Sequence, residues 1–125
     1  MTSIDKLRET AKDLNEISDA LGAMVRAIDC ELKSMNIGVE VWSGNLGYAK
    51  TGLKTGNYWG LCIRRNTLEW SFNEAPRELR AAAIKQWPDL LKLLREKALT
   101  VESEMEEAVD AAGKFLAEIK GDEKQ

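Results

Sequence analysis

The fold is decided by residues 58–72, which read YWGLCIRRNTLEWSF. On both sides of the pair Arg65-Asn66, apolar and aromatic residues recur with a period of two, the pattern of a strand with one buried face. A short polar pair between two such runs is typical of a tight hairpin turn. The stretch therefore predicts two antiparallel strands, at residues 58–64 and 67–72.

The same period extends toward the N-terminus, between Val39 and Lys50. Glycines at positions 44 and 47 punctuate a run rich in Val, Trp and Tyr, and glycine between such runs marks turns. We expect two further strands here, at residues 39–43 and 46–50. Together with the hairpin they form a small antiparallel sheet of three or four strands.

The segment before the sheet has a helical period. Thr2 with Asp5 is a plausible capped start, and residues 36–38 contain Asn36 and Gly38, which favour a helix end. Its apolar residues form two interleaved seven-residue series: Ile4, Ala11, Val25 and Leu32, and Leu7, Leu14, Leu21, Ile28 and Met35. This pattern predicts one long amphipathic helix with a heptad seam.

The segment after the sheet begins with two prolines. Pro76 predicts a short helix that extends to about Gln86, and Pro88 predicts the start of a second helix, with Trp87 at the corner. Beyond them the seven-residue pattern returns in Leu91, Leu94, Ala98, Val101, Met105, Ala108, Ala112, Phe115 and Ile119. A second long helix is therefore expected.

These elements predict an α+β fold in one domain covering residues 1–125. Two long heptad-patterned helices pack antiparallel and flank the small sheet and the short helix, so that Leu32 lies near Leu91 and Ile4 near Ile119. The expected parts are an N-terminal helix (1–36), a sheet head with the short helix (38–87), a C-terminal helix (88–120) and a tail (121–125).

Both long helices have apolar stripes wider than a two-helix pair can cover, which is typical of larger bundles. We therefore predict a homo-oligomer, a dimer in which two pairs of helices form a four-helix bundle. Alternatively, the sheet and the short helix cover the excess within one chain. The predicted interface residues are Leu14, Ile17, Leu21, Met24, Ile28, Val101, Met105, Val109 and Leu116.

The composition restricts the chemistry. Histidine is absent, which excludes Ser-His-Asp and Cys-His catalysis and removes the commonest metal ligand. Cys30 and Cys62 have no Cys-x-x-Cys spacing, so we interpret both as buried thiols and expect no metal and no cofactor. The sequence shows neither an export signal nor a membrane span, and we expect a cytoplasmic protein of bacterial or phage style.

Basic and aromatic residues are mixed in the predicted head. Residues 38–87 contain seven basic and four acidic residues, a net charge of +3, whereas the remainder contains 11 basic and 17 acidic residues. Guanidinium groups beside aromatic rings suit a small anionic or nucleotide-like ligand, and less well a nucleic acid. The alternative is that these basic groups are simply solvated. The candidate ligand-binding residues are Lys50, Lys54, Tyr58, Arg64, Arg65, Trp70, Arg77 and Arg80.

Acidic residues line one side of the C-terminal helix. Glu102, Glu106 and Asp110 are spaced four apart, so their like charges repel one another. This side is either a solvated helix face or the contact surface for a basic partner, such as another protein or the head of a neighbouring subunit.

From these patterns we predict a non-catalytic, self-associating protein-interaction module with coiled-coil helices. Binding of a small anionic ligand by the head is the alternative function. An enzyme using only carboxylates or a lysine is a third hypothesis, and it requires Glu40, Glu69 or Glu74 to lie in a cleft.

Overall fold

The computed structural model describes residues 2–51 and 58–123, and for positions 51, 58, 122 and 123 the backbone alone. The first helix, α1, covers Ser3–Met35. The Thr2 hydroxyl accepts a hydrogen bond from the Asp5 N–H at 3.1 Å, and the Asp5 carboxylate accepts one from the Thr2 N–H at 3.3 Å. This reciprocal cap satisfies two backbone donors that the helix leaves free. The helix ends at Asn36, in the left-handed region with φ 51°.

Four antiparallel strands follow α1, in the order β1-β2-β3-β4. They are β1 (Val41–Ser43), β2 (Leu46–Thr51), β3 (Tyr58–Arg65) and β4 (Leu68–Ser71). The turns after β1 and β3 contain Gly44 at φ 57° and Asn66 at φ 56°, the conformation that tight hairpin turns require. The predicted four strands agree with this sheet within two residues at each end.

One face of the sheet forms the core. Tyr48 lies opposite Leu61, and the alternation of strand side chains places both on the same face. Helices α1 and α3 (Trp87–Glu123) and the 3-10 turn Phe72–Glu74 cover this face. The largest fully buried side chains are Tyr48, Phe72, Leu46, Leu61, Ile63, Leu90, Leu94, Val25 and Cys62.

The predicted separate short helix is wrong. Residues 77–123 form a single helical path in which α2 (Arg77–Ala83) passes through a 3-10 turn (Ile84–Gln86) into α3. The backbone at the junction stays helical, with φ −61° and ψ −24° at Ile84 and φ −53° and ψ −45° at Trp87. Proline is tolerated in the first turn of a helix because its missing N–H has no partner there, but here the tighter 3-10 turn accommodates Pro88 without ending the helix.

The predicted antiparallel pairing of the two long helices is also wrong over most of their length. Helix α1 packs against β3, whereas α3 packs against β1 and β2. Leu32 and Leu91 do line one groove, as expected. In contrast, Ile4 is 60% exposed and Ile119 is 56% exposed, so the far ends do not pair. Each helix buries its apolar stripe against the sheet rather than against the other helix.

Both long helices extend beyond the part of the chain that surrounds the sheet. Residues 3–17, the α1 arm, and residues 102–121, the α3 arm, have no buried side chain in the described structure. At 1.5 Å per residue the arms are about 22 Å and about 30 Å long. We call residues 18–101, as far as they are described, the body.

Candidate functional site

The apolar stripe of α3 continues from the body into its arm. Leu90 and Leu94 are fully buried against the sheet, and Val101 packs at the edge of the core. Four and eight residues further along the same side lie Met105 and Val109, which are mostly exposed. Such a stripe on one side of a helix normally covers, or is covered by, another apolar surface. In the α3 arm, none of the described residues buries these side chains.

The stripe of α1 continues into its arm in the same manner. Val25 and Leu32 are buried, whereas Leu14 and Ile17 are exposed. The nine large apolar residues of the two arms are between 46% and 68% exposed. They are Ile4, Leu7, Leu14, Ile17, Met105, Val109, Phe115, Leu116 and Ile119. Large exposed apolar surfaces are uncommon on monomeric proteins and usually mark interaction sites.

The nine predicted interface residues divide into two groups. Leu21, Ile28 and Val101 pack against the core and are partly buried. The other six are exposed: Leu14, Ile17, Met24, Met105, Val109 and Leu116. The exposed group remains available to a second molecule.

An apolar groove of about 310 Å³ lies where the end of α1 meets the start of α3. It was not foreseen from the sequence, because the heptad pattern predicted that the two helices fill the space between them. The groove is lined by Ala27, Ile28, Glu31, Leu32, Met35, Trp87 and Leu91. A cleft of this size and lining suits apolar side chains rather than a polar ligand.

The candidate ligand-binding residues are not brought together. Arg64 lies over the Trp42 ring at 4.4 Å, whereas Trp70 lies on the opposite face of the sheet, since it pairs with Ile63. Arg77 donates a hydrogen bond to the Asn15 side chain at 2.6 Å.

The remaining candidates are scattered. Arg80 has a buried Nε without a hydrogen-bond partner among the described residues. Lys50 and Arg65 are exposed. Lys54 and the side chain of Tyr58 lie outside the described residues.

Asp29 is a structurally important residue that the sequence analysis missed. Its Oδ1 accepts a hydrogen bond from the Leu61 N–H at 2.9 Å and thereby fastens α1 to β3. Burial raises the pKa of the Asp29 carboxyl above its usual value of 3.8, and the hydrogen bond from Leu61 opposes this shift more weakly. The sequence feature that could have identified Asp29 is its position on the apolar side of α1, between Val25 and Leu32.

A recess of about 250 Å³ adjoins Asp29 and is bordered by Trp59, Phe72 and Asn73. Trp59 stacks on Tyr48 at a centroid distance of 5.7 Å. The Asn73 amide donates to the Gly22 carbonyl at 3.2 Å, which holds the 3-10 turn against α1. The side chains around the recess thus take part in the packing between α1 and the sheet.

The two cysteines differ. Cys30 is exposed, so the expectation that both thiols are buried is wrong for this residue. Cys62 is fully buried, and burial together with the charges of Glu69, Asp29 and Glu40 raises the pKa of its thiol to about 12. A thiol with so high a pKa is unreactive near neutral pH.

The structure provides no cleft for the three carboxylates considered for catalysis, since Glu40, Glu69 and Glu74 are all exposed. In the part of the chain that the structure describes, no group of three or more Cys, Asp or Glu side chains is placed to hold a metal ion. Across residues 2–51 and 58–123, no helix is both long and apolar enough to cross a membrane.

Comparison with protein-family models, curated proteins and solved structures gives no significant match to this chain.

Proposed function

We propose that this chain is a non-catalytic helical interaction module that self-associates through the apolar stripes of its two arms. The observation that carries the proposal is the continuity of each stripe: the side of α3 that buries Leu94 in the body presents Met105, 59% exposed, in the arm. Among the described residues, the same apolar pattern is thus covered in one half of the helix and exposed in the other.

The exposed area supports a second protein surface as the partner of the arms. Each of the nine large apolar side chains of the arms is at least 46% exposed, so each arm offers an extended apolar surface to a partner. The alternative in which the sheet and the helical segment α2 cover the excess within one chain accounts for Leu21, Ile28 and Val101, which pack against the core, but not for the exposed apolar residues of the arms.

We also propose that this protein is cytoplasmic. An exposed free thiol such as Cys30 is typical of a reducing compartment. Binding of an anionic ligand by the head is not proposed, because no observation on the described residues favours it.

The test is the mass of the protein by light scattering over a range of concentrations. We expect an oligomer, and we expect Met105→Glu and Leu14→Glu to shift it to the monomer because each places a charge in an apolar contact. Leu21→Glu is a poor probe, since Leu21 packs against the core and the change would also unfold the body.

The matched control is Leu68→Glu, which places the same charge at a residue of β4 that is 58% exposed but lies outside both arms. It is expected to keep the mass of the wild type. A wild type that is monomeric at all concentrations, or a Met105→Glu variant with unchanged mass, would contradict the proposal.

A further inference from the structure

Helix α3 changes from basic to acidic along its length, and one of its sides follows the same change. Residues 91–97 contain three basic residues and one acidic residue, whereas residues 98–113 contain five acidic residues and no basic one. Steps of three and four residues place Leu91, Arg95, Glu102, Glu106 and Val109 on this side. It adjoins the side of Leu90 and Leu94, which the sheet covers.

This side is complementary to a second copy of itself in one orientation. If two α3 helices run antiparallel about a twofold axis at the level of Thr100, residues equally far from that level face each other. Leu91 then lies at the level of Val109 of the second copy, and Arg95 lies within one residue of the level of Glu106 of the second copy. A twofold axis repeats each contact. A parallel arrangement would instead place the acidic halves side by side, which is unfavourable.

The groove at the end of α1 fits the same arrangement. In the antiparallel orientation, the α3 arm of the second copy passes the groove lined by Met35, Trp87 and Leu91. Gly113 of the second copy then reaches the level of Trp87. A Cβ atom at Gly113 would meet nothing within 4 Å in the single chain, so this position leaves open space for a bulky ring. The groove would receive Val109 and Leu116 of that arm.

We infer that the second copy docks antiparallel along α3, with the twofold axis near Thr100 and the α3 arm of each copy in the groove of the other. The inference rests on the self-association proposed above and specifies its geometry. The charge pattern of a single helix selects the second copy as the occupant, because the basic half and the acidic half complement each other only between two chains.

A charge-reversal cycle tests this geometry. The dissociation constant of the oligomer is measured by sedimentation at low salt for Arg95→Glu, Glu106→Arg and the double variant. Each single variant creates two repulsive contacts and is expected to raise the constant by about tenfold or more. The double variant recreates both pairs with reversed sign and is expected to return close to the wild-type value. All side chains involved are exposed, so the fold is retained.

The matched control is Lys97→Glu, which makes the same charge change on the other side of the stripe and is expected to alter the constant much less. Single variants without effect, or a double variant in which the two effects add, would overturn the antiparallel arrangement while leaving self-association intact. A monomeric wild type would instead overturn the proposed function itself.

Discussion

The two halves of α3 differ in what covers them, although they share one sequence pattern. In the body, Leu94 is 2% exposed, whereas eleven residues further along the same side Met105 is 59% exposed. A heptad pattern therefore specifies that a side of a helix is to be covered, but not by which surface. In the body the sheet provides the cover, and in the arm a second chain is the proposed one.

Truncating an apolar side chain to alanine is expected to give the largest difference in stability between the two halves of α3. Leu94→Ala removes a buried side chain and leaves a cavity, which costs about 2–5 kcal/mol of the free energy of unfolding. Leu116→Ala, made in the arm, is expected to change that free energy by less than about 0.5 kcal/mol in the dissociated protein. Urea denaturation at low protein concentration measures both. Equal losses would mean that the arm packs against its own body.

A smaller loss of stability is expected when the hydrogen bond between α1 and β3 is removed. Asp29→Ala removes the acceptor of the Leu61 N–H and leaves a partly buried donor without a partner, at a cost of about 1–3 kcal/mol. Asp13→Ala, in the exposed α1 arm, is the control and should cost almost nothing. The same urea experiment reports both. If Asp29→Ala is as stable as wild type, the hydrogen bond does not fasten α1 to the sheet.

Two glycines, one in the body and one in the α3 arm, allow a further comparison of these regions. A Cβ at Gly22 in the body would meet the Asn73 Oδ1 at 3.5 Å, an ordinary contact, and one at Gly113 in the arm would meet nothing. Alanine at either position should favour the helix by about 0.5–1 kcal/mol. In the dissociated protein, we expect Gly22→Ala to raise the free energy of global unfolding, and Gly113→Ala to raise only the helical circular dichroism signal. A higher unfolding midpoint for Gly113→Ala would show that the arm unfolds together with the body.

The smallest effect is expected in the pH dependence of stability. Because the folded-state pKa of Asp29 is raised above 3.8, the stability that its protonated form contributes is complete below that pH. It is lost as the pH rises through the folded pKa. Asp29→Asn keeps an oxygen that can accept from Leu61 but cannot ionise, so it should gain stability relative to wild type over this rise. A difference that stays constant with pH would contradict the assigned burial of the carboxylate.

The sequence predicts local secondary structure well, but it predicts less well which elements pack against one another. Alternation around Arg65-Asn66 identified the hairpin, and Thr2 with Asp5 identified the start of α1, because both depend on nearby residues. The path through Pro88 was missed, since a 3-10 turn can precede a proline as readily as a break can. Asp29 was missed as well, because its partner Leu61 is 32 residues away and the hydrogen bond depends on tertiary packing.

At the candidate site, the sequence identified the apolar stripes but not which stretches of them the sheet covers. Leu21 and Leu14 occupy equivalent positions one heptad apart, yet the first packs against the core and the second is exposed. Nor could the sequence place Arg64 and Trp70 on opposite faces without the register of β3 and β4. The groove beside Trp87 lies between α1 and α3, which pack over different strands, and this packing was not evident from the heptad pattern.

The continuous helical path from Arg77 to Glu123 has a mechanical consequence. Load applied at the tip of the α3 arm acts on the body through a lever of about 30 Å, at 1.5 Å per residue. Along that path, the 3-10 turn at residues 84–86 has the weakest hydrogen-bond geometry and is the preferred point of bending. The Gln86 side chain there lies against the turn at Gly44, where there is no space for a Cβ atom. Bending at this turn would therefore move the Gln86 side chain relative to the hairpin of β1 and β2.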